Sequence, residues 1–463
     1  MDIRNLPDSQ VVTKPGGKIC TIPCSKVAGW RSCLRTVFLL LGPLATGLLA
    51  QSPAEWVRGR LPELTQLYKQ LHQSPELSFE EEQTSAKVAK LIEQQGLEVT
   101  TAVGGHGVVG ILKNGPGKTL LLRADMDALP VSEQTGLDYA SQVRVRDPRG
   151  AVVGVMHACG HDMHLTNLLG AVEYLAGHRD LWQGTLVIMF QPAEERGAGA
   201  MAMIEDGLLR RFPRPDFALA LHVAADERAG TLRYRTGYAM ANVDSVDIKV
   251  RGRGGHGAYP HATIDPIPIA ARLVLDLQTI ISREVKPIEP AVITVGSIHG
   301  GTKHNIIGDT CQLQITVRSY SPEVRRQLIE AIGRKAKAAA ASAGAPEPEV
   351  DVSEGTPSLY NDPDLAARVL PVLRRALGEL NVFEADPTMG GEDFGRLGKE
   401  GIPILMLGLG SIDSERLDQY KEQGLAPPSL HSPQYYPDPQ ETIVTGVTAL
   451  ASAAIELLPA KSD

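Results

Sequence analysis

The 463-residue chain is poor in cysteine, has no excess of positive charge and contains no apolar run long enough for a clear membrane span. Of its five cysteines, Cys20, Cys24 and Cys33 lie within the first fifty residues. The body keeps only Cys159 and Cys311, which excludes a fold stapled by disulfides. Lys+Arg number 46 against 54 Asp+Glu, a net charge of −8, which argues against a general nucleic-acid binder. A spanning helix needs about 20 apolar residues. The longest candidate, Val37–Ala50, is shorter and is interrupted by Gly42-Pro43. Solenoid-type repeats are absent. With 43% hydrophobic and 22% charged residues the composition is that of a globular protein, which excludes collagen-like or long disordered readings. The length suggests two or three structural units.

The charge is unevenly spread. Residues 1–50 carry six basic residues against two acidic ones, leaving the rest of the chain at −12. Arg31 and Arg35 precede the apolar stretch, which ends in small residues, the pattern of a secretory signal. Ala50 suits the last position before a cut, whereas Leu48 is large for the third-last. The expected location is therefore periplasmic or secreted, with an uncleaved membrane anchor as the alternative.

From Pro53 to Leu97 apolar residues recur three and four apart, which predicts two helices broken at Ser74-Pro75 and stopped at Gly96. Short apolar runs follow at Lys118–Arg123, Thr185–Phe190, Phe217–Leu221 and Pro403–Leu407, with helical stretches between them. Strands alternating with helices predict an α/β fold with a mainly parallel sheet. Ligand sites in such sheets lie beyond the carboxyl ends of the strands. Asp125, Glu194, Glu195 and His222 all fall at those predicted ends. Near Asn242 the pattern changes to alternating strands (Val243–Arg251, Ala291–Ile298, Gln312–Arg318) with helices at Pro266–Ser282 and Pro322–Ala341. After Glu354 the α/β character returns. The expected organisation is a presequence over 1–50, an α/β domain in two parts over 51–242 and 354–463, and an inserted α+β domain over 243–353.

The densest polar cluster is MHACGHDMH, Met156–His164. A thiolate two residues from an imidazole is a metal-ligand pairing, and Gly160 between Cys159 and His161 permits the tight turn that aims both inward. In QPAEERGAG, Glu194 and Glu195 are adjacent carboxylates, so one can hold a metal while the other takes a proton from an activated water. A solvated acidic turn has the same appearance. His222 ends a buried-looking strand, where a lone histidine is more often a satisfied core residue. His431 lies in the Pro-rich LHSPQYYPD loop and is a weak signal alone. Cys311, within an alternating strand, reads as a small core residue.

Together, MHACGHDMH, QPAEERGAG, ALHV, GGHGAYPH, GGEDFG and LHSP resemble, in their order, the hippurate hydrolase and indole-acetyl-amino-acid amidohydrolase group. That group belongs to the metallopeptidase family of aminoacylases and carboxypeptidases. The resemblance spans about Leu61 to Leu458 and is carried most specifically by RADMDALP with the Cys-Gly-His-Asp stretch. It implies a two-domain hydrolase with a lid, holding two divalent metal ions, zinc or manganese, per subunit. Such an enzyme cleaves the amide bond between an acyl group and an amino acid, with a dipeptidase or carboxypeptidase of the same fold, or a non-catalytic binder, as alternatives. Its partners would be small N-acyl amino acids or short peptides, with a homodimer through the lid as a further expectation.

Position by position, the resemblance implies Cys159 as the bridging ligand, with His161, Glu195, His222 and His431 completing the metal set. Asp162 is a rival bridge. Glu194 would be the general base and acid, and Asp125 would orient a ligand imidazole. His256 in the inserted domain would stabilise the oxyanion, and Asn305 and Arg318 would hold the substrate's carboxylate. Arg318 also reads as a solvated strand-end arginine, His256 as part of a flexible turn, and Gly308 stands where the family has proline. Arg123 replaces a histidine usual in the wider family. Glu392-Asp393 either shape the pocket or cap a helix.

Overall fold

A computed structural model of the protein describes residues 51–146 and 150–461. The basic and apolar N-terminal segment expected to direct export lies outside these residues. Among the described residues, no helix is long and apolar enough to cross a membrane.

The chain opens with helices Pro53–His72 and Glu82–Gln94, as the periodicity predicts. Helix starts are chemically marked. Ser52, Asp265, Ser321, Asp362 and Asp438 each accept a hydrogen bond from the first turn of the helix they precede, and proline follows each of them. Proline fits there because its missing N–H has no intrahelical partner to lose.

The central sheet has eight strands. Their spatial order is Glu98–Val103, Gly107–Asn114, Gly184–Gln191, Thr119–Asp125, Phe217–Arg228, Ile404–Ile412, Leu232–Tyr234 and Val382–Glu384. The middle pairings are parallel, while the first two pairings and that of Ile404–Ile412 with Leu232–Tyr234 are antiparallel. The sheet is thus mixed and mostly parallel. Its central strands are buried on both faces because successive side chains alternate sides. Leu120 and Leu122 join one core with Leu186, Ile188, Leu219 and Leu405. Leu121 joins the opposite core with Val187, Met189, Ala218 and Met406.

Two strands run further than their apolar runs suggest. Phe217–Arg228 passes through His222 instead of ending before it, and Ile404–Ile412 absorbs the glycines expected to form a loop. Gly408 pairs with His222 and Gly410 with Ala224. A Cβ on Gly410 would stand 2.0 Å from the Arg228 carbonyl oxygen, so glycine lets the neighbouring chain close onto the strand. The helix expected over Ala198–Leu209 is split into Gly199–Glu205 and Leu208–Arg211 by Gly207, at φ +98°.

A second sheet has four antiparallel strands in the order Ala291–Gly300, Thr310–Ser319, Asn242–Arg251 and Glu349–Glu354. The last of these is not evident from the sequence. Helices Pro266–Thr279 and Pro322–Ser342 pack on this sheet around a separate core that includes Val246, Leu273, Leu313 and Leu328. Cys311 is buried in that core. Both sheets lie within the compact unit Ala50–Asp463. The two crossings between them, Gly237–Met240 and Leu359–Asn361, run side by side as an antiparallel pair.

Candidate metal centre and cleft

Cys159, His161 and His164 are placed by one turn and the helix that follows it. Gly160 adopts φ +76° and caps helix His161–Gly177. A Cβ there would meet Val223 Cγ2 at 2.6 Å, so glycine is required for both its conformation and its space. The turn leaves Cys159 buried just before the helix and His161 at its first position.

The two central imidazoles are oriented by hydrogen bonds from their far nitrogens. His161 Nδ1 donates to the Asp127 carbonyl oxygen at 2.8 Å, and His222 Nδ1 donates to the Val223 carbonyl oxygen at 2.8 Å. Each therefore turns its Nε2 inward, the atom left for a metal once the ring is neutral. His222 Nε2 lies 3.6 Å from Cys159 Sγ. His161 Nε2 is buried without a hydrogen-bond partner, 3.9 Å from Glu195 Oε1, which is itself buried and unpartnered. His431 Nε2 lies 3.4 Å from the same Glu195 oxygen. His431 is held at φ +68°, and its backbone N–H donates to the Ala158 carbonyl oxygen.

Cys159, His161 and His222 converge within 4.8 Å, and so do Cys159, Glu195 and His431. Cys159 is common to both groups, as a bridging ligand must be. Burial pushes the Cys159 thiol well above its usual range. A thiolate there thus needs strong positive compensation, which divalent cations supply. Two orphaned buried acceptors and a soft thiolate among imidazoles fit zinc-type coordination. All five expected metal ligands are brought together. Asp162 is not, because its Oδ2 accepts from His72 Nδ1 at 2.6 Å and its Oδ1 from the Met163 amide.

Glu194 and Glu195 follow Ala193, at φ +48°, where the Gly184–Gln191 strand turns away. Asp127 holds this turn. Its Oδ1 accepts from the Glu194 amide and its Oδ2 from the Glu195 amide, both at 3.1 Å, and Ser78 Oγ donates to Oδ2 at 2.6 Å. Asp127 thus positions both carboxylates through its side chain and His161 through its carbonyl. Sequence reasoning passed over it, although it stands in RADMDALP two residues after Asp125. Asp125 itself does not hold the far nitrogen of a ligand. Its Oδ1 accepts from His164 Nδ1 at 2.6 Å, and its Oδ2 accepts from Arg123 Nη1 at 2.7 Å. His164 Nε2 in turn accepts from the Val223 amide, so this chain braces the strand beside His222.

Arg123 is fully buried and answers three carboxylates, Asp125, Glu392 at 2.9 Å and Asp393 at 3.3 Å. Glu392 also accepts from the Phe394 amide, and Asp393 from the Ala200 amide in the first turn of helix Gly199–Glu205, so of the two expected roles the capping one is seen. Burial, with Glu392 and Asp393 as negative neighbours, pushes the Glu194 carboxyl well above the usual carboxylate range. A carboxyl so placed readily holds a proton, which suits general acid and base work.

The groupings open onto a cleft of about 520 Å³ between the two sheets, lined by Glu194, His222, Val243, Arg318, Thr356 and His431 among others. Arg318 is half-buried, and its Nη1 donates to the Met389 carbonyl oxygen at 2.9 Å. It therefore faces the cleft instead of open solvent. His256 and Asn305 do not line the cleft. Both are exposed, and His256 Nδ1 accepts from the Ala258 amide within its own turn. The strand pair Gly255–His256 with Ile306–Ile307 forms a two-stranded sheet of its own, separate from the four-stranded sheet.

Comparison with known proteins gives a consistent result. Residues 121–426 match the model of Peptidase family M20/M25/M40. The N-acetyl-L-cysteine deacetylase of Bacillus subtilis is 39% identical over 333 residues, covering 72% of this chain and 76% of that protein. The IAA-amino acid hydrolase ILR1-like 2 of Arabidopsis thaliana is 33% identical over 402 residues, covering 86% of each. The crystal structure of a dinuclear metal binding peptidase of the M20 family from Bacillus subtilis is 29% identical with a TM-score of 0.70, covering 87% of this chain and 99% of that one.

Proposed function

The chain belongs to Peptidase family M20/M25/M40, and from that premise we propose that it hydrolyses the amide bond of N-acyl amino acids at a binuclear metal centre. The observation that carries this reading is a single cleft that joins Glu194 and two ligand groupings sharing Cys159 to Arg318. The deacetylase and IAA-amino acid hydrolase among its relatives support the substrate class.

Cys159, His161, Glu195, His222 and His431 would hold two divalent cations, zinc or manganese, whose Lewis acidity acidifies water and polarises a carbonyl. Glu194 then takes the proton of the attacking water and returns it to the departing amine. The guanidinium of Arg318 binds the free carboxylate of the amino-acid half, which orients the amide toward Glu194. The second sheet contributes Val243, Ser245 and Arg318 to the cleft and serves as its lid. His256 and Asn305 lie outside the cleft as it stands, so the scheme is built on the residues that line it.

Metal analysis of the purified protein, combined with a screen of N-acyl amino acids including benzoyl-glycine, tests the reading. Release of the free amino acid, lost on chelation and restored by zinc or manganese, is expected. Cleavage of dipeptides without cleavage of any N-acyl amino acid would replace this reading with that of a dipeptidase.

A further inference from the structure

The turn that carries Glu194 and Glu195 is held from a second direction. Asp127 receives the amides of both glutamates, and the amide just before them, that of Ala193, donates to Glu81 Oε1 at 2.8 Å. Glu81 is fully buried and immediately precedes helix Glu82–Gln94, yet its side chain makes no cap hydrogen bond to that helix. Its Oε1 reaches across to Ala193 and also accepts from the Phe79 amide at 3.0 Å. Both donors are non-glycine residues in the left-handed region, Phe79 at φ +66° and Ala193 at φ +48°. That conformation is disfavoured for an L-residue and persists only where its surroundings hold it. On the other side of Ala193, its carbonyl oxygen accepts from the amides of Ala198 at 3.3 Å and Gly199 at 3.1 Å. One carboxylate oxygen thus links the loop between the first two helices to the strained residue that leads into the two glutamates.

We propose that Glu81 is a positioning residue whose Oε1 fixes the left-handed turn at Ala193, and so sets where the Glu194 base and the Glu195 ligand stand. The inference rests on the roles given to those two residues above. A left-handed alanine that loses this acceptor relaxes toward the right-handed or extended regions open to it, and the chain that follows rotates with it. A general base must lie within hydrogen-bond reach of the water it deprotonates. A misplacement of about 1 Å can cost about 10²-fold in rate. What the turn needs from Glu81 is an acceptor and not a charge. Oε2 is buried with no hydrogen-bond partner, and burial together with the negative charge of Asp127 pushes the carboxyl up. Exchange of Oε2 for an NH₂ therefore breaks no hydrogen bond.

The test compares Glu81→Gln, Glu81→Met and the double variant Glu81→Met/Ala193→Gly, reading zinc affinity by chelator competition and kcat and KM on an N-acyl amino acid cleaved by the wild type. Methionine keeps the length of the side chain and removes the acceptor. Glu81→Met should lose about 10–100-fold in zinc affinity, the usual cost of an outer partner. Its kcat at saturating zinc should fall by the same order while KM stays within about threefold, because the contacts with substrate in the cleft are untouched. Glu81→Gln, the conservative variant, keeps the accepting oxygen and should stay within about threefold of wild type in zinc affinity. In the double variant, glycine adopts positive φ without steric cost and should regain about fivefold or more of the lost affinity. A merely structural defect would instead be deepened by a glycine, which adds freedom to the unfolded chain. Wild-type zinc affinity in Glu81→Met, or a double variant no better than Glu81→Met, would overturn the positioning role. So would a Glu81→Gln protein with a tenfold loss, and this arm decides even where Glu81→Met does not fold. A wild type that cleaves no N-acyl amino acid would refute the proposed function, while the zinc arm still reads the turn.

Discussion

Asp127→Asn is the most informative single change at this site, because it keeps volume and removes one acceptor. The Asp127 carboxylate accepts from the amides of Glu194 and Glu195 and from the hydroxyl of Ser78. Burial opposes its charge, yet the hydrogen bond and charge of His161 and the Ser78 hydroxyl hold it below the usual carboxylate range. Asparagine has one oxygen and one NH₂ in place of two acceptors. Ser78 can rotate to accept, but the backbone donors cannot. Whichever way the amide turns, one of the two buried N–H groups faces another donor. A buried donor left unmade costs about 1–3 kcal/mol. The Glu194–Glu195 turn should shift, and loss of such an outer partner typically weakens metal binding by about 10–100-fold. Chelator competition with zinc measures the affinity, and thermal unfolding of the metal-free protein measures the stability. Ser78→Ala is the control. It removes one hydroxyl donor and leaves both amides satisfied, so it should lower stability without a comparable loss of affinity. Wild-type zinc affinity in Asp127→Asn, with an unshifted melting temperature, would refute the positioning role.

Three further outcomes follow from the same geometry. Glu194→Gln should keep bound metal while turnover falls by about 10²–10⁴, and Glu195→Gln should instead lose metal; metal analysis beside kinetics separates them, and the reverse pattern exchanges the two roles. Cys159 should resist alkylation in the metal-loaded protein and react after chelation, while Cys311, buried in the second core, stays unlabelled throughout; rapid labelling of loaded, active enzyme at Cys159 excludes the bridge. Burial alone would lower the His72 pKa, but its hydrogen bonds to Asp162 and Glu133 raise it to about 9, so its protonated form contributes stability that is complete below pH ~6.5 and lost as pH rises through about 9. Denaturant unfolding across that window should show a decline in the wild type that is absent in His72→Gln, and equal slopes would remove His72 as its source.

The sequence by itself determined most of the elements, for a local physical reason, while its full set of ligand candidates came through the family resemblance. Helix periodicity, proline after a capping residue and alternation along a strand are properties of neighbouring residues. So is the Cys159-Gly160-His161 turn, whose glycine brings a thiol and an imidazole to one side without help from distant chain. Glu194 and Glu195 stood out as adjacent carboxylates at a predicted strand end, and the family resemblance, not the pair itself, separated them from a solvated acidic turn. What tertiary structure alone decided is how separate segments meet. Asp127 draws its partners from Ser78, from Glu194 and Glu195, and from His161, which no spacing rule connects. Asp125, at the end of the strand two residues before it, was expected to orient a ligand imidazole, and the packing of helix His161–Gly177 gives it to His164 instead. The strands through His222 and Gly408 extend because they pair with each other, a long-range contact that overrides the loop preference of glycine. His256 and Asn305 lie outside the cleft, at an exposed two-stranded sheet separate from the four-stranded one. Arg123 reads as one more charge in the sequence. In the fold it is a buried cation facing three carboxylates brought from two separate segments.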